Sequence, residues 1–174
     1  GEAPVGHESG HYAYNGASLI WTTGISRPDD GDANGYDTIP ENGVAKNILT
    51  VGAVADIPGG YQSSEDVRVS AFSSFGPTDD GRIKPDLVAN GEGVLSTFSG
   101  SNGDYAELPG TSVASPNVAG SLALLIERHF RDATSPMWSS TLRGLAIHTA
   151  DEAGVAPGPD YQHGWGLLNA ARAA

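Results

Sequence analysis

Cysteine is absent from this sequence. Its absence excludes disulfide bonds, thiolate metal sites and a cysteine nucleophile. Basic residues are scarce as well: 9 Lys and Arg stand against 21 Asp and Glu, which gives a formal net charge of −12. This balance disfavours nucleic acid and anionic membranes as partners and favours the binding of cations. The sequence also lacks an apolar run long enough to cross a bilayer.

The composition that is present indicates a single globular domain. The 174 residues are 39% hydrophobic and include 24 Gly and 11 Pro, which predicts a buried core joined by many turns. Residues 1–43 are rich in Gly, Asp, Asn and Pro and predict loops, whereas residues 44–174 carry the stronger strand and helix patterns.

Hydrophobic patterning predicts short strands followed by helices. Strands are expected at residues 17–23, 48–54, 67–72, 86–89 and 94–97. Helices are expected from Ser112 to about Phe130, from about Trp138 to Thr149, and from Leu167 to Ala173. The order of strands and then helices, taken alone, would ordinarily indicate an α+β fold.

The strongest chemical signal is a serine at the start of the first long helix. The Pro109-Gly110 turn delivers Thr111 and Ser112 to the first helical turn. The amino end of a helix presents N–H groups and the positive end of the helix dipole, so a serine there can attack an acyl carbon while N–H groups stabilise the oxyanion. The structural alternative is an ordinary Ser/Thr cap on a buried helix.

Four motifs in order resemble the subtilisin-like serine proteases. Residues 110–116, Gly-Thr-Ser-Val-Ala-Ser-Pro, resemble the nucleophile motif Gly-Thr-Ser-x-Ala-x-Pro of that family. The other three stretches are residues 45–54, residues 72–77 with 80–86, and residues 164–170 (Gly-Trp-Gly-Leu-Leu-Asn-Ala). Together they cover the chain from about residue 44 to its end.

The resemblance implies an α/β fold, a subtilisin-like parallel-sheet sandwich of which residues 1–174 form the C-terminal portion. It implies a serine endopeptidase acting on protein or peptide substrates, with Ser112 as nucleophile and Gly110 and Thr111 beside the oxyanion. It also implies structural calcium, no organic cofactor, and an extracellular or cell-envelope location. The family segments that carry the catalytic aspartate, the histidine and the oxyanion asparagine have no counterpart here. We therefore expect an upstream segment or companion chain of the same enzyme to supply them.

None of the later histidines is a credible base for Ser112. His129 lies 17 residues further along the same helix, or roughly 25 Å at about 1.5 Å per residue. His148 and His163 fall where the resemblance predicts surface structure.

His7-Glu8-Ser9-Gly10-His11 matches the His-Glu-x-x-His signature of zinc peptidases. That chemistry needs both histidines on one helical face. Pro4, Gly6 and Gly10 oppose a helix, so a polar surface loop is the competing interpretation.

A second metal motif runs from Asp30 to Glu41. Asp-Gly-Asp-Ala-Asn-Gly with a final Glu matches the oxygen-ligand spacing of calcium loops. Side chains of Asp30, Asp32, Asn34 and Glu41 and the carbonyl of Tyr36 would bind the ion. Flanking helices are not predicted, so the choice lies between a calcium loop without helices and an acidic solvated insertion.

Three other functions compete with the serine peptidase. A zinc metallopeptidase would use His7 and His11. A non-catalytic structural or calcium-binding domain would retain the fold alone. An α/β-hydrolase esterase is disfavoured because Ala114 stands where the Gly-x-Ser-x-Gly elbow needs its second glycine.

Overall fold

A computed structural model of the chain describes residues 38–78, 80–133 and 135–174, together with the backbone of two short strands at residues 11–14 and 19–22. The strands are β1 (His11–Tyr14), β2 (Leu19–Thr22), β3 (Val51–Val54), β4 (Leu87–Asn90), β5 (Val94–Thr97) and β6 (Tyr105–Leu108). The α-helices are α1 (Thr111–Ala133), α2 (Ser139–His148) and α3 (Ala170–Ala173). Short 3-10 helices occupy Glu41–Val44 and Ser64–Asp66.

The strands form three two-stranded sheets, of which one is parallel. β1 pairs with β2 and β5 pairs with β6 in antiparallel register, whereas β3 pairs with β4 in parallel. On the other edge of β4, Leu167 forms a parallel bridge to Val88. The parallel pair is the centre of the described structure because both of its faces are covered, as parallel strands require.

The side chains of β3 and β4 alternate between two buried clusters. Ala53, Leu87 and Ala89 pack under α1, where Ala114 and Val118 lie. Val54 and Val88 point to the opposite face and pack with Val67 and Ala153. Alternation with a period of two therefore separates a face covered by α1 from a face covered by loops.

A buried ion pair holds the amino end of the parallel pair. Lys84 is 3% exposed. Its ammonium lies 2.5 Å from Asp86 Oδ2 and donates to Thr50 Oγ1 at 3.1 Å and to the Ile48 carbonyl at 3.4 Å. Asp86 Oδ2 also accepts the Thr50 N–H at 2.6 Å. These hydrogen bonds compensate for the desolvation of both charges, and they join Thr50, just before β3, to Asp86, just before β4.

Several of the expected elements are confirmed, and others differ. Residues 11–14, which were predicted as loop, form the strand β1. The strands near residues 86–89 and 94–97 and the first two helices form as predicted. Residues 67–72 make only one bridge, Val54 with Val69, because Val67 and Ser70 are buried in a packed loop rather than in a ladder. The last helix is shorter than predicted, since Leu167 and Leu168 are extended against β4 and Asn169 caps α3. β6 was not predicted because Tyr-Ala-Glu-Leu carries no β-branched residue.

Candidate active site

Ser112 is the second residue of α1 and its side chain is exposed. The helix runs for 23 residues, and its buried positions Ala114, Val118 and Leu125 face the core. Pro116 is the sixth residue of the helix, where its missing N–H removes the hydrogen bond to the Ser112 carbonyl. The predicted nucleophile thus stands at the amino end of a long helix anchored by its opposite face.

Two glycines tie this helix start to the carboxyl end of the parallel strands. Gly91, which follows β4, donates its N–H to the Val54 carbonyl at 3.0 Å, and Gly110 donates to the Gly91 carbonyl at 2.8 Å. A Cβ at Gly91 would lie 2.6 Å from the Cβ of Ala53 and 2.9 Å from the Gly110 carbonyl oxygen. Only glycine permits this close approach, so Gly91 sets how near the loop before Ser112 lies to the sheet.

Gly110 also needs the freedom of glycine, because its φ is 144°. Its carbonyl accepts the N–H groups of Val113 at 2.9 Å and Ala114 at 3.2 Å, which begins the helix. Thr111 and Ser112 follow at once, so the structure places the three predicted site residues together. A site at the carboxyl end of parallel strands, beside a helix amino terminus, is where open α/β sheets commonly bind ligands.

The amino end of α1 suits the chemistry of acyl transfer. The positive end of the helix dipole stabilises negative charge, and a serine oxygen there can become a nucleophile when a base removes its proton. No acidic residue lies in the first turn of α1 to oppose that field. The arrangement supplies a nucleophile position and a favourable electrostatic environment for an oxyanion.

The histidines with described side chains divide into three different settings. His129 is on α1 itself, 17 residues from Ser112, which is roughly 25 Å along the axis. His148 is the last residue of α2 and is exposed, as expected. His163 corrects an expectation, since it is 6% exposed rather than on the surface, because its ring packs against Gly154 and pairs with Asp160.

The zinc hypothesis fails at His11. This residue begins the strand β1, whereas the two-histidine motif requires a helix that brings both rings to one face. His7 and Glu8 lie outside the described residues. Among the residues that the structure describes, no three His, Asp or Glu side chains gather as a metal site would require.

The calcium motif is described only at its end. Glu41 opens the 3-10 helix Glu41–Val44, and its side chain is exposed. Asp30, Asp32, Asn34 and Tyr36 lie outside the described residues, so the calcium loop stays a prediction.

In the described part of the chain, no helix has both the length and the apolar character of a membrane span.

Two polar pairs with a buried member were not found by sequence reasoning. Lys84 with Asp86 is one, and Asp160 with His163 is the other. Their spacings of two and three residues were the available signal, but the sequence does not show that Lys84 and His163 are buried.

Comparison of the sequence with known proteins shows which family the chain belongs to. The model of the subtilase family matches residues 8–166. Serine protease AprX of Bacillus subtilis is 32% identical over 137 residues, which cover 71% of this chain and 30% of that protein. C5a peptidase of Streptococcus pyogenes serotype M3 is 34% identical over 137 residues, which cover 75% of this chain and 11% of that protein. An uncharacterised protein of Aquifex aeolicus is 39% identical over 104 residues, which are 47% of its length, so the chain spans less than half of these relatives.

Solved structures agree with the sequence comparison. The CspB protease of Clostridium perfringens superposes with a TM-score of 0.64 at 29% identity, covering 79% of this chain and 28% of that one. The maturation protease PagA superposes with a TM-score of 0.62 at 23% identity, covering 83% of this chain and 46% of that one, and this likeness supports the fold alone. The fold is therefore subtilisin-like α/β with a parallel sheet, and the chain belongs to the subtilase family of serine peptidases.

Proposed function

We propose that this chain carries the nucleophile of a serine endopeptidase. Ser112 attacks the scissile carbonyl of a protein or peptide substrate, an acyl-enzyme forms with release of the amine, and water then releases the acid. The Ser112 backbone N–H serves as one oxyanion donor. The observation that carries the proposal is the placement of an exposed serine at the amino end of α1, tied through Gly110 and Gly91 to the carboxyl end of the parallel strands.

A nucleophilic serine needs a base, and the base needs an orienting group. We propose that another segment or chain of the same enzyme supplies the histidine, the aspartate and the oxyanion asparagine. The support comes from an apolar outer stripe on α1, defined by the exposed residues Pro116, Ala119, Ala123, Ile126 and Phe130. These residues follow Ser112 at intervals of four and three, so they share one face of the helix with it.

The outer stripe lies opposite the buried positions of α1, and its exposure is high for apolar side chains. Phe130 is 58% exposed and Ile126 is 43% exposed. A helix that is apolar on both faces is typical of the interior of a larger protein. The relatives extend well beyond the matched region, which covers 30% of AprX. The proposed occupant of the stripe is therefore the remaining portion of the peptidase domain.

Labelling with a fluorophosphonate, followed by intact mass analysis, tests the nucleophile. We expect one adduct on this chain when the upstream segment of the same enzyme is co-expressed with it, and no adduct on the chain alone. Ser112→Ala should abolish the adduct. The control Ser115→Ala, which removes an exposed serine one turn further along α1, should retain it. Absence of an adduct in the assembled enzyme would overturn the peptidase proposal.

A separate pair of variants tests the outer stripe. Ala123→Glu places a charge on the stripe and should weaken co-purification of the two parts at least tenfold, because a buried unpaired charge is costly. Arg128→Glu changes an exposed residue of the same helix outside the stripe and should leave co-purification unchanged. Labelling of the chain alone, or equal effects of the two variants, would refute the companion segment.

A further inference from the structure

A cleft of about 400 Å³ lies beside the face of the parallel pair opposite α1. Val67 lines it and belongs to the buried cluster that contains Val54 and Val88. The loop that carries Val155 and His163 forms another wall. The volume falls within the range of small-ligand sites. The residues that line the cleft do not include any of α1 or of the turn before Ser112.

The polar part of this cleft is a fixed carboxylate–imidazole pair. Nδ1 of His163 lies 3.1 Å from Asp160 Oδ2, and Asp160 Oδ1 accepts the backbone N–H groups of Gln162 and His163 at 2.7 Å each. Burial raises the pKa of Asp160, but hydrogen bonds from the His163 side chain and backbone outweigh it and leave the pKa below its ordinary value. An ionised carboxylate only accepts hydrogen bonds, so Nδ1 of His163 carries the proton and donates it.

In the neutral imidazole, donation from Nδ1 leaves Nε2 of His163 as a hydrogen-bond acceptor. Nε2 is buried and has no hydrogen-bond partner among the residues that the structure describes. Buried polar side-chain atoms nearly always have a partner, so an orphaned acceptor on a residue that lines the cleft indicates a missing donor. Gly154 helps to maintain this wall, since a Cβ there would lie 2.9 Å from Asp160 Oδ2 and 3.2 Å from Nδ1 of His163.

The charges around the cleft indicate what kind of donor fits. Glu65 and Asp160 contribute two carboxylates, and Arg68 contributes one cation. Val67, Val69 and Val155 add apolar surface to the same cleft. We propose that the cleft binds a cationic hydrogen-bond donor with an apolar stem, either a lysine or arginine side chain of a peptide or a peptide's α-ammonium group. The stem packs on the valines and the cation faces Glu65. Because Nε2 of His163 is buried in the unliganded cleft, the wall shifts locally for the cation to donate to it.

Titration of the imidazole ¹⁵N resonances of the intact chain tests this site. The probes are N-acetyl-lysine amide and N-acetyl-arginine amide for the side chains, alanine amide for the α-ammonium group, and N-acetyl-norleucine amide as the uncharged control. At least one cationic probe should shift Nε2 of His163 saturably and bind at least tenfold more tightly than the norleucine compound, and the probe that does so identifies the source of the cation. The exposed His148 on α2 should not shift.

Two variants separate recognition from packing. Glu65→Gln removes an exposed carboxylate and should lower the affinity for the cationic probe at least threefold. The control Glu107→Gln, on the exposed side of β6, should leave that affinity unchanged. His163→Asn retains a donor for Asp160 but places no acceptor at the position of Nε2, because its side chain is shorter, and it should abolish binding. The proposal is overturned if no cationic probe shifts His163 at millimolar concentrations, if the norleucine compound binds as tightly as the cationic probes, or if Glu65→Gln binds them like the parent chain.

Discussion

Replacement of Lys84 by methionine should destabilise the fold strongly. The Lys84 side chain is 4% exposed and that of Asp86 is 16% exposed. Lys84→Met keeps most of the side-chain volume but leaves the Asp86 carboxylate without its cation. Removing one partner of a buried ion pair costs about 3–5 kcal/mol. Asp86 still accepts the Thr50 N–H at 2.6 Å, so we expect the lower end of that range, about 3 kcal/mol.

The loss in the free energy of unfolding should be measured by urea unfolding, followed by tryptophan fluorescence, and by thermal unfolding. At 2–4 °C per kcal/mol for a chain of this size, the melting temperature should fall by about 6–12 °C. The double variant Lys84→Met with Asp86→Asn removes both charges and should return to within about 1 kcal/mol of the parent chain, because a neutral buried pair no longer carries the desolvation cost.

An exposed ion pair provides the control. Arg131 and Glu127 on α1 are 72% and 63% exposed, so Arg131→Met should cost less than about 0.5 kcal/mol. The reasoning is refuted if Lys84→Met costs less than about 1 kcal/mol, or if the double variant is as unstable as the single one.

Three further predictions concern a turn, an acidic group and a metal. Gly164→Ala should lower the free energy of unfolding, measured in urea, by about 2 kcal/mol or more, because φ is 63° and a Cβ would overlap the Pro85 carbonyl. In the control Gly103→Ala, the added Cβ enters open space, so the free energy of unfolding should change by less than about 0.5 kcal/mol. Hydrogen bonds from Arg82 and then Thr78 lower the pKa of Asp80 to about 2 from its ordinary 3.8, so its stabilisation is complete above pH 4 and is lost as the pH falls towards 2. The urea midpoint of Asp80→Asn should therefore differ from that of the parent more at pH 5 than at pH 2.5, and equal differences would contradict this. Calorimetric titration should show one calcium site that Asp32→Asn abolishes, and absence of heat would remove the calcium hypothesis.

Local sequence signals were sufficient for the nucleophile region. The Pro109-Gly110 turn and the apolar pattern after it predict a helix that starts beside Ser112, and the structure begins α1 at Thr111. The strand at β3 was also predicted, although it begins at Val51 rather than Ile48. These elements are determined by turn residues and hydrophobic periodicity, which act over a few neighbouring residues.

Elsewhere, contacts between distant residues overrode the local pattern. The alternation of residues 67–72 is typical of a strand, but Val67 and Ser70 are buried in a loop. Leu167 favours a helix locally, yet it is extended because its backbone pairs with β4 and with Asp151. Secondary-structure propensity is worth less than the burial and hydrogen bonding that such pairing provides.

The sequence by itself determined the family, the helix that carries Ser112, and an acidic chain without cysteine chemistry. Only the tertiary structure decided that Gly91 and Gly110 join Ser112 to the carboxyl end of the parallel strands, and that the apolar stripe of α1 faces outwards. Tertiary structure alone also buried His163 against Asp160 and Lys84 against Asp86. The physical reason is that burial and the orphaning of a polar atom depend on which remote segments pack together, and no local pattern encodes that.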